Sequence, residues 1–309
     1  MPVKTPNPAV TQRHQSQRSE SLLERSQRTR LAWMLGIFVL AAVLLFWRQL
    51  QMMVSLWFHN GALSIGALVP FVSAYFGWRA WQRTEGLPIR PAISGFVCAV
   101  AAALAVIGWN SAARNGVSLS LVLIPLFLAG CMASVAGWRI VREFLFPLAF
   151  LWFLVPVPPP VLGLIDYPLQ LLCARVVEGV GHLLHLHVIR IGTMVGPTPD
   201  VAVTIAPECN GVRSSVALVM ITIILAKLKT IRVLPAIALV VAAIPLAYAA
   251  NFVRLCGLFL LTTVFGERFM PYEHRTDLIS GGIWFFITVL LMSSIAQRLG
   301  PRVQSEPLP

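Results

Sequence analysis

The stretch PVLGLIDYPLQLLCARVVEGVGHLL, residues 160–184, is long enough to cross a bilayer and largely apolar. Whether it crosses decides how the rest of the chain is threaded. Asp166, Arg175, Glu178 and His182 interrupt its apolar face, and His185 follows at once. Each such group is expensive in hydrocarbon. An amphipathic helix lying along the interface accommodates the same pattern without that cost. Pro156, Pro158, Pro159 and Pro160 are expected to turn the chain just before it.

Outward from this stretch, apolar runs recur at about 31–47, 61–78, 92–109, 117–136, 143–157, 213–230, 233–250 and 280–297. A crossing helix needs roughly 20 residues, so the 143–157 run is short. Basic residues orient the set. Arg25, Arg28 and Arg30 precede the first run, and Arg79, Arg83 and Arg90 follow the second. Arg139 and Arg142 follow the fourth, Lys227, Lys229 and Arg232 separate the sixth from the seventh, and Arg298 and Arg302 follow the last. All belong on the cytoplasmic side. Residues 158–212 then make no net crossing.

The run NFVRLCGLFLLTTVF, 251–265, reads as an outer-side helix or as an extension of the seventh span that bends near Asn251. Taking both 160–184 and 251–265 as spans gives ten and leaves both ends inside. Between them, Val188–Ile191 and Val201–Ile205 favour strand, with a turn marked by Gly196, Pro197 and Pro199. The fold expected is an all-α polytopic membrane protein of about eight transmembrane helices with both termini cytoplasmic. Extra amphipathic helices and a small hairpin lie on its outer face. Residues 1–30 are expected as a disordered basic cytoplasmic tail, 31–297 as a single transmembrane catalytic domain, and 298–309 as a short cytoplasmic tail.

Composition agrees with that class. Of 309 residues 57% are hydrophobic and 12% charged, against about 25% charged in soluble domains. The formal net charge of +12 sits in short loops, which suits the lipid bilayer as partner and argues against nucleic acid. Five cysteines show no CxxC or ligand spacing. His182, His185 and His187 resemble metal-ligand spacing only superficially, with no supporting carboxylate pattern, so no metal or cofactor is expected.

One polar cluster stands out: PECNGVRSS, 207–215, at the mouth of the sixth run. Cys209 and Arg213 are four apart and share a face if the helix has begun there. A helix N-terminus and a nearby cation both lower a thiol pKa, which makes Cys209 a candidate nucleophile. Asn251 and Arg254 sit at the same level on the seventh run, and His274 lies in ERFMPYEHRTD before the eighth. His274 suits proton transfer to and from a thiol and a leaving amine; a plain surface histidine is the alternative. Arg254 suits an oxyanion or a substrate carboxylate, or is an interfacial arginine. Glu208 could orient Arg213 or Arg254, or raise the thiol pKa. Asn251 could simply cap or bend its helix.

PECNGVRSS before a hydrophobic span, AANFVRL about 40 residues on, and EHRTD before a final span together resemble the exosortase/archaeosortase family of membrane transpeptidases. The likeness covers about 31–297 and is most specific over 207–284. It implies a catalytic triad of Cys209, Arg254 and His274. The family's Cys–Ser/Thr–Gly–Ile/Val–Arg pattern meets Cys209, Asn210, Gly211, Val212 and Arg213, with Asn210 departing from the usual hydroxyl. Its Asn-x-x-Arg element meets Asn251 and Arg254. The resemblance further implies membrane-anchored protein substrates carrying a C-terminal sorting signal: a motif, a transmembrane helix and a basic cluster. Cleavage is expected at the outer face of the cell membrane, with transfer to a surface-polymer or lipid acceptor. A membrane protease with the same site, and a transporter or export scaffold without chemistry, are the rival readings.

Overall fold

A computed structural model describes residues 8–59, 64–112, 117–155, 159–268 and 272–300. Pro156 and Pro158, the start of the second expected span at 61–63, and 301–309 of the expected tail lie outside this set. The chain is mostly helical and forms two compact units, Met1–Pro156 and Val157–Pro309. Among the described residues, three helical stretches are long and apolar enough to cross a membrane: Ser26–Leu45, Val233–Phe265 and Arg275–Leu299.

The first unit comprises α1 (Pro8–Leu45), α2 (Trp47–His59), α3 (Leu68–Arg83), α4 (Ile93–Ala112), α5 (Val117–Val122), α6 (Ile124–Ala136), α7 (Trp138–Glu143) and α8 (Leu145–Phe150). Helix α1 begins inside the segment expected to be a disordered tail. Its Gln, Arg, Leu and Glu residues are good helix formers. Extension from an existing apolar helix also avoids the cost of nucleation.

The expected 117–136 run is interrupted at Leu123 and the 143–157 run at Phe144. Pro125 and Pro147 explain both places. A proline disfavours helical geometry in the residue before it and lacks the N–H that would close the preceding turn. Apolar helical structure over Leu145–Leu154 is correspondingly short. The core of this unit gathers Phe46, Met53, Val106, Leu121, Ile124 and Phe127, with the rings of Phe46 and Phe127 edge-on at 6.2 Å. Helices α4 and α6 approach until their backbones nearly touch. An added Cβ at Gly95 would stand 2.5 Å from the Ser134 nitrogen, and one at Gly130 2.6 Å from the Ala99 nitrogen.

The second unit opens with α9 (Pro159–Leu183), so Pro159 and Pro160 start this helix instead of turning the chain before it. Proline suits the first helical turn because its missing N–H would be unpaired there anyway. Helix α9 is 25 residues long but is not among the three candidate crossings. It buries Gln170, Cys173, Ala174, Val177 and Gly181 along one stripe, the helical spacing of an amphipathic face. Its last turn closes with Leu186 N–H donating to the Gly181 carbonyl at 3.0 Å and His185 N–H to that of His182 at 3.0 Å. His185 takes the left-handed conformation this ending needs.

A three-stranded antiparallel meander follows: β1 (Ile189–Ile191), β2 (Met194–Thr198) and β3 (Val201–Thr204). The expected hairpin is thus one strand larger. Gly196 and Pro197 lie inside β2, not in a turn, and the turns fall at 192–193 and 199–200. The register shifts between Val195 and Thr198. At Gly196 an added Cβ would stand 2.2 Å from the Val201 carbonyl oxygen. Glycine therefore serves a bulge where the partner strand presses close.

Helices α10 (Val212–Leu228), α11 (Val233–Phe265) and α12 (Glu273–Leu299) pack together around Leu218, Leu239, Ala243, Ala247, Met292 and Ala296. Residues 251–265, expected as a separate outer helix or a bent extension, continue α11 as one helix of 33 residues. At 1.5 Å per residue it is about 50 Å long, against about 30 Å of hydrocarbon. Its C-terminal third packs Leu255 and Phe259 against Cys173, Ala174 and Val177 of α9 and Val195 of the sheet.

The turn from α10 to α11 places Thr230 at φ 50°. A β-branched residue is strained there. Thr230→Gly is expected to stabilise the folded protein by about 1 kcal/mol, read as a rise of a few degrees in thermal unfolding of detergent-solubilised protein. Thr230→Val, which keeps the branch, should give no gain.

Candidate active site

Cys209 ends a single 3-10 turn, Pro207–Cys209, and α10 starts only at Val212. Cys209 and Arg213 therefore do not share a helical face. Arg213 sits partly buried in the first turn of α10. Between them the chain reverses at Gly211, whose φ of 87° lies in the left-handed region. An added Cβ at Gly211 would meet the Tyr248 ring at 3.0 Å and Asn251 Nδ2 at 3.2 Å. Both conformation and space favour glycine.

Hydrogen bonds from distant elements hold this turn. Asn251, buried in α11, donates from Nδ2 to the Cys209 carbonyl at 2.8 Å; it is a clamp on the Cys209 turn and not a helix cap. Asn210 is fully buried. Its Nδ2 donates to Asp166 Oδ1 on α9 at 2.5 Å, and its Oδ1 accepts from Val212 N–H at 3.0 Å. That last bond satisfies one of the N–H groups left open at the start of α10. A hydroxyl side chain has no such pair of opposed groups, so the amide at 210 ties α9 and α10 together. The Cys173 thiol points at the Asn210 carbonyl, 3.9 Å away.

Around the sulfur, two helices bring opposite charges. The Cys209 thiol donates toward Asp277 Oδ2 of α12, Sγ to oxygen 3.7 Å. Arg254 Nη1 of α11 lies 3.5 Å from Asp277 Oδ1. Both side chains are largely buried, with 14% of Arg254 and 21% of Asp277 exposed. Among the described residues, Arg254 Nε and Nη2 are buried with no hydrogen-bond partner, as is Asp277 Oδ1. Nε and Nη2 form one edge of the guanidinium fork, and that fork matches two oxygens, or one oxygen shared between both donors. One turn beyond Asp277, Gly281 faces the guanidinium, and an added Cβ would stand 3.0 Å from Nη1.

Burial pushes the Cys209 pKa up, the Asp277 carboxylate adds to the rise, and Arg254 pulls it down without prevailing. The expectation of a lowered thiol pKa is thereby corrected. The helix N-terminus begins past the sulfur, and the nearest carboxylate offsets the cation.

Of the residues expected at the site, Cys209, Arg254, Asn251 and Gly211 come together here. The side chains of Glu208 and His274 lie outside the described residues. The backbone of His274 is in the first turn of α12, three residues before Asp277. Asp277 was not anticipated as a site residue, although its spacing from His274 puts both on neighbouring positions of one helical face. Asp166 and Asn210 were likewise without a role. Arg190 pairs with Glu178 at 2.6 Å, which ties β1 to α9 away from the sulfur.

No curated protein and no solved structure matches the chain. A family model described as transmembrane exosortase matches residues 57–294.

Proposed function

Because the chain belongs to the transmembrane exosortase family, we propose that this integral membrane protein is a cysteine-dependent transpeptidase acting on proteins that carry a C-terminal tripartite sorting signal. Cleavage takes place at the outer face of the cell membrane, beside the substrate's transmembrane helix. The observation that carries the reading is that Asp277 lies against both the Cys209 sulfur and Arg254, whose Nε and Nη2 donors have no hydrogen-bond partner among the described residues.

His274 takes the Cys209 thiol proton, and the thiolate attacks the scissile carbonyl. The two open Arg254 donors receive the oxyanion of the tetrahedral intermediate, and a fixed donor pair is worth most where charge develops. Collapse breaks the C–N bond, and protonated His274 gives its proton to the leaving amine. The remaining thioester on Cys209 is attacked by the acceptor nucleophile, whose proton passes to His274 and returns to the departing sulfur. The raised thiol pKa makes His274 a base that is needed at the first step, not an adornment. Asn251 keeps the Cys209 backbone in place while the sulfur changes partners.

The reading is tested with Cys209→Ala and Cys209→Ser in a cell carrying a tagged substrate with such a signal. Both variants should leave the substrate at full length at normal enzyme abundance; unchanged processing sinks the proposal. The mass of the new substrate C-terminus distinguishes the two kinds of acyl acceptor. An added group marks transfer, and a free carboxylate throughout marks a protease.

A further inference from the structure

We propose that Asp277 is a positioning residue of this site: it holds the Arg254 guanidinium by one edge, so that the other edge faces the reacting carbonyl, and it restrains Cys209 as a thiol until substrate arrives. The proposal rests on the roles just given to Cys209 and Arg254 and adds a residue to them.

Three observations carry it. First, a single carboxylate reaches both partners, with Oδ2 at 3.7 Å from the sulfur and Oδ1 at 3.5 Å from Arg254 Nη1. Second, the carboxylate meets the guanidinium at its Nη1 end, while Nε and Nη2 have no hydrogen-bond partner among the described residues. A carboxylate seated on the Nε–Nη2 edge would have blocked the fork; one at Nη1 orients it and leaves it open. Third, both contacts are longer than ideal hydrogen bonds, and Asp277 Oδ1 has no hydrogen-bond partner. The carboxylate is close enough to orient its neighbours and too loosely bonded to trap them.

Gly281 completes the arrangement. It lies one turn from Asp277 on α12, and the missing side chain leaves the guanidinium its place. A carboxylate this near a nucleophilic sulfur disfavours the thiolate, so Asp277 cannot be there to activate Cys209. Orientation of Arg254, and restraint of the sulfur, are what it can supply.

The ionisable groups facing Cys209 among the described residues are Asp277 from α12, Arg254 from α11 and Cys173 from α9. Removing the negative charge leaves Arg254 acting on the sulfur unopposed by it. The thiolate fraction at neutral pH must then increase, and the whole titration moves to lower pH.

The test uses full-length enzyme in membranes with Asp277→Asn, Asp277→Ala and Asp277→Glu. Alkylation of Cys209 by iodoacetamide is followed across pH by mass spectrometry of the peptide that contains it, which needs no substrate. Asp277→Asn should shift that profile to lower pH and speed alkylation several-fold at neutral pH. In substrate processing the Asn and Ala variants should lose about 10- to 100-fold in kcat with KM little changed, as expected when a reacting group is misplaced by about 1 Å; Asp277→Glu should restore part of it. An unshifted alkylation profile in folded Asp277→Asn overturns the proposal, as does a shifted profile with undiminished kcat. If Cys209→Ala processes substrate normally, the enzymatic reading fails, and the alkylation profile still decides whether Asp277 governs the sulfur.

Discussion

Arg254→Ala lowers turnover of a tripartite-signal substrate by about 10²- to 10³-fold, the loss expected when an oxyanion donor is removed. The residue sits on α11, with most of its side chain buried, and its Nε and Nη2 donors have no hydrogen-bond partner among the described residues. Buried donors are rarely left unmade without cause, because each costs about 1–3 kcal/mol of desolvation. On the proposed mechanism the missing partner is supplied during reaction, and the cost is offset when charge appears on the substrate oxygen.

Arg254→Lys separates charge from geometry. Lysine keeps the cation but presents no planar fork, so kcat should remain far below that of the parent enzyme. If lysine restores full turnover, Arg254 acts as a point charge and the fork has no role. Arg254→Ala, which removes the charge, also strands Asp277 beside the sulfur. The double variant Arg254→Ala, Asp277→Ala should therefore recover protein abundance relative to Arg254→Ala and recover no turnover. Rates normalised to folded enzyme, measured by single-turnover processing, check both statements.

The second large effect concerns folding. Gly130→Leu should abolish accumulation of folded protein, because no side chain fits between α4 and α6. The atoms in the way are backbone: the Ala99 nitrogen at 2.6 Å and the Gly95 carbonyl oxygen at 2.9 Å from an added Cβ. Backbone cannot rotate aside as a long side chain can, so the helices must part along their contact. In lipid nothing analogous to water exclusion draws them back, since association there relies on close van der Waals approach of small residues. Gly130→Ala already forces the same clash and should lower the unfolding temperature measurably. Gly77→Leu on α3, where an added Cβ meets nothing within 4 Å, is the matching control and should be tolerated. Size-exclusion profiles of fluorescently tagged protein report all three.

Hydropathy and charge placement put Cys209, Asn251 and Arg254 at one membrane level; Asn251 does reach the Cys209 carbonyl, although it and Arg254 lie inside α11 and not at its end. Level along the membrane was legible because it is a one-dimensional property of the chain. The part of Asp277 was not. Its register with His274 was visible, but facing the sulfur depends on how α12 is rotated about its axis, which Met292 and Ala296 set by packing against Leu239, Ala243 and Ala247. Asn210 read as a lost hydroxyl for a related reason. Its value lies in Asp166, 44 residues away, and no local pattern announces so distant a partner. The thiol pKa was expected to fall because only the helix start near Gly211 and the cations were weighed; burial and the Asp277 carboxylate, which raise it, depend on packing that no local pattern shows. Gly196 and Pro197 signalled a turn, yet a bulge in a strand makes the same demand on the backbone, and only pairing with β3 tells the two apart.

Helix α11 runs without interruption from the cluster around Leu239 to the one around Phe259, and Asn251 and Arg254 ride on it one turn apart. A bilayer that thins or thickens tilts its spanning helices. Whatever tilt such a rod takes, the Asn251 grip on the Cys209 carbonyl and the Arg254 guanidinium travel as one piece. Lipid thickness should then alter how often substrate arrives more than how well the chemistry proceeds once it has.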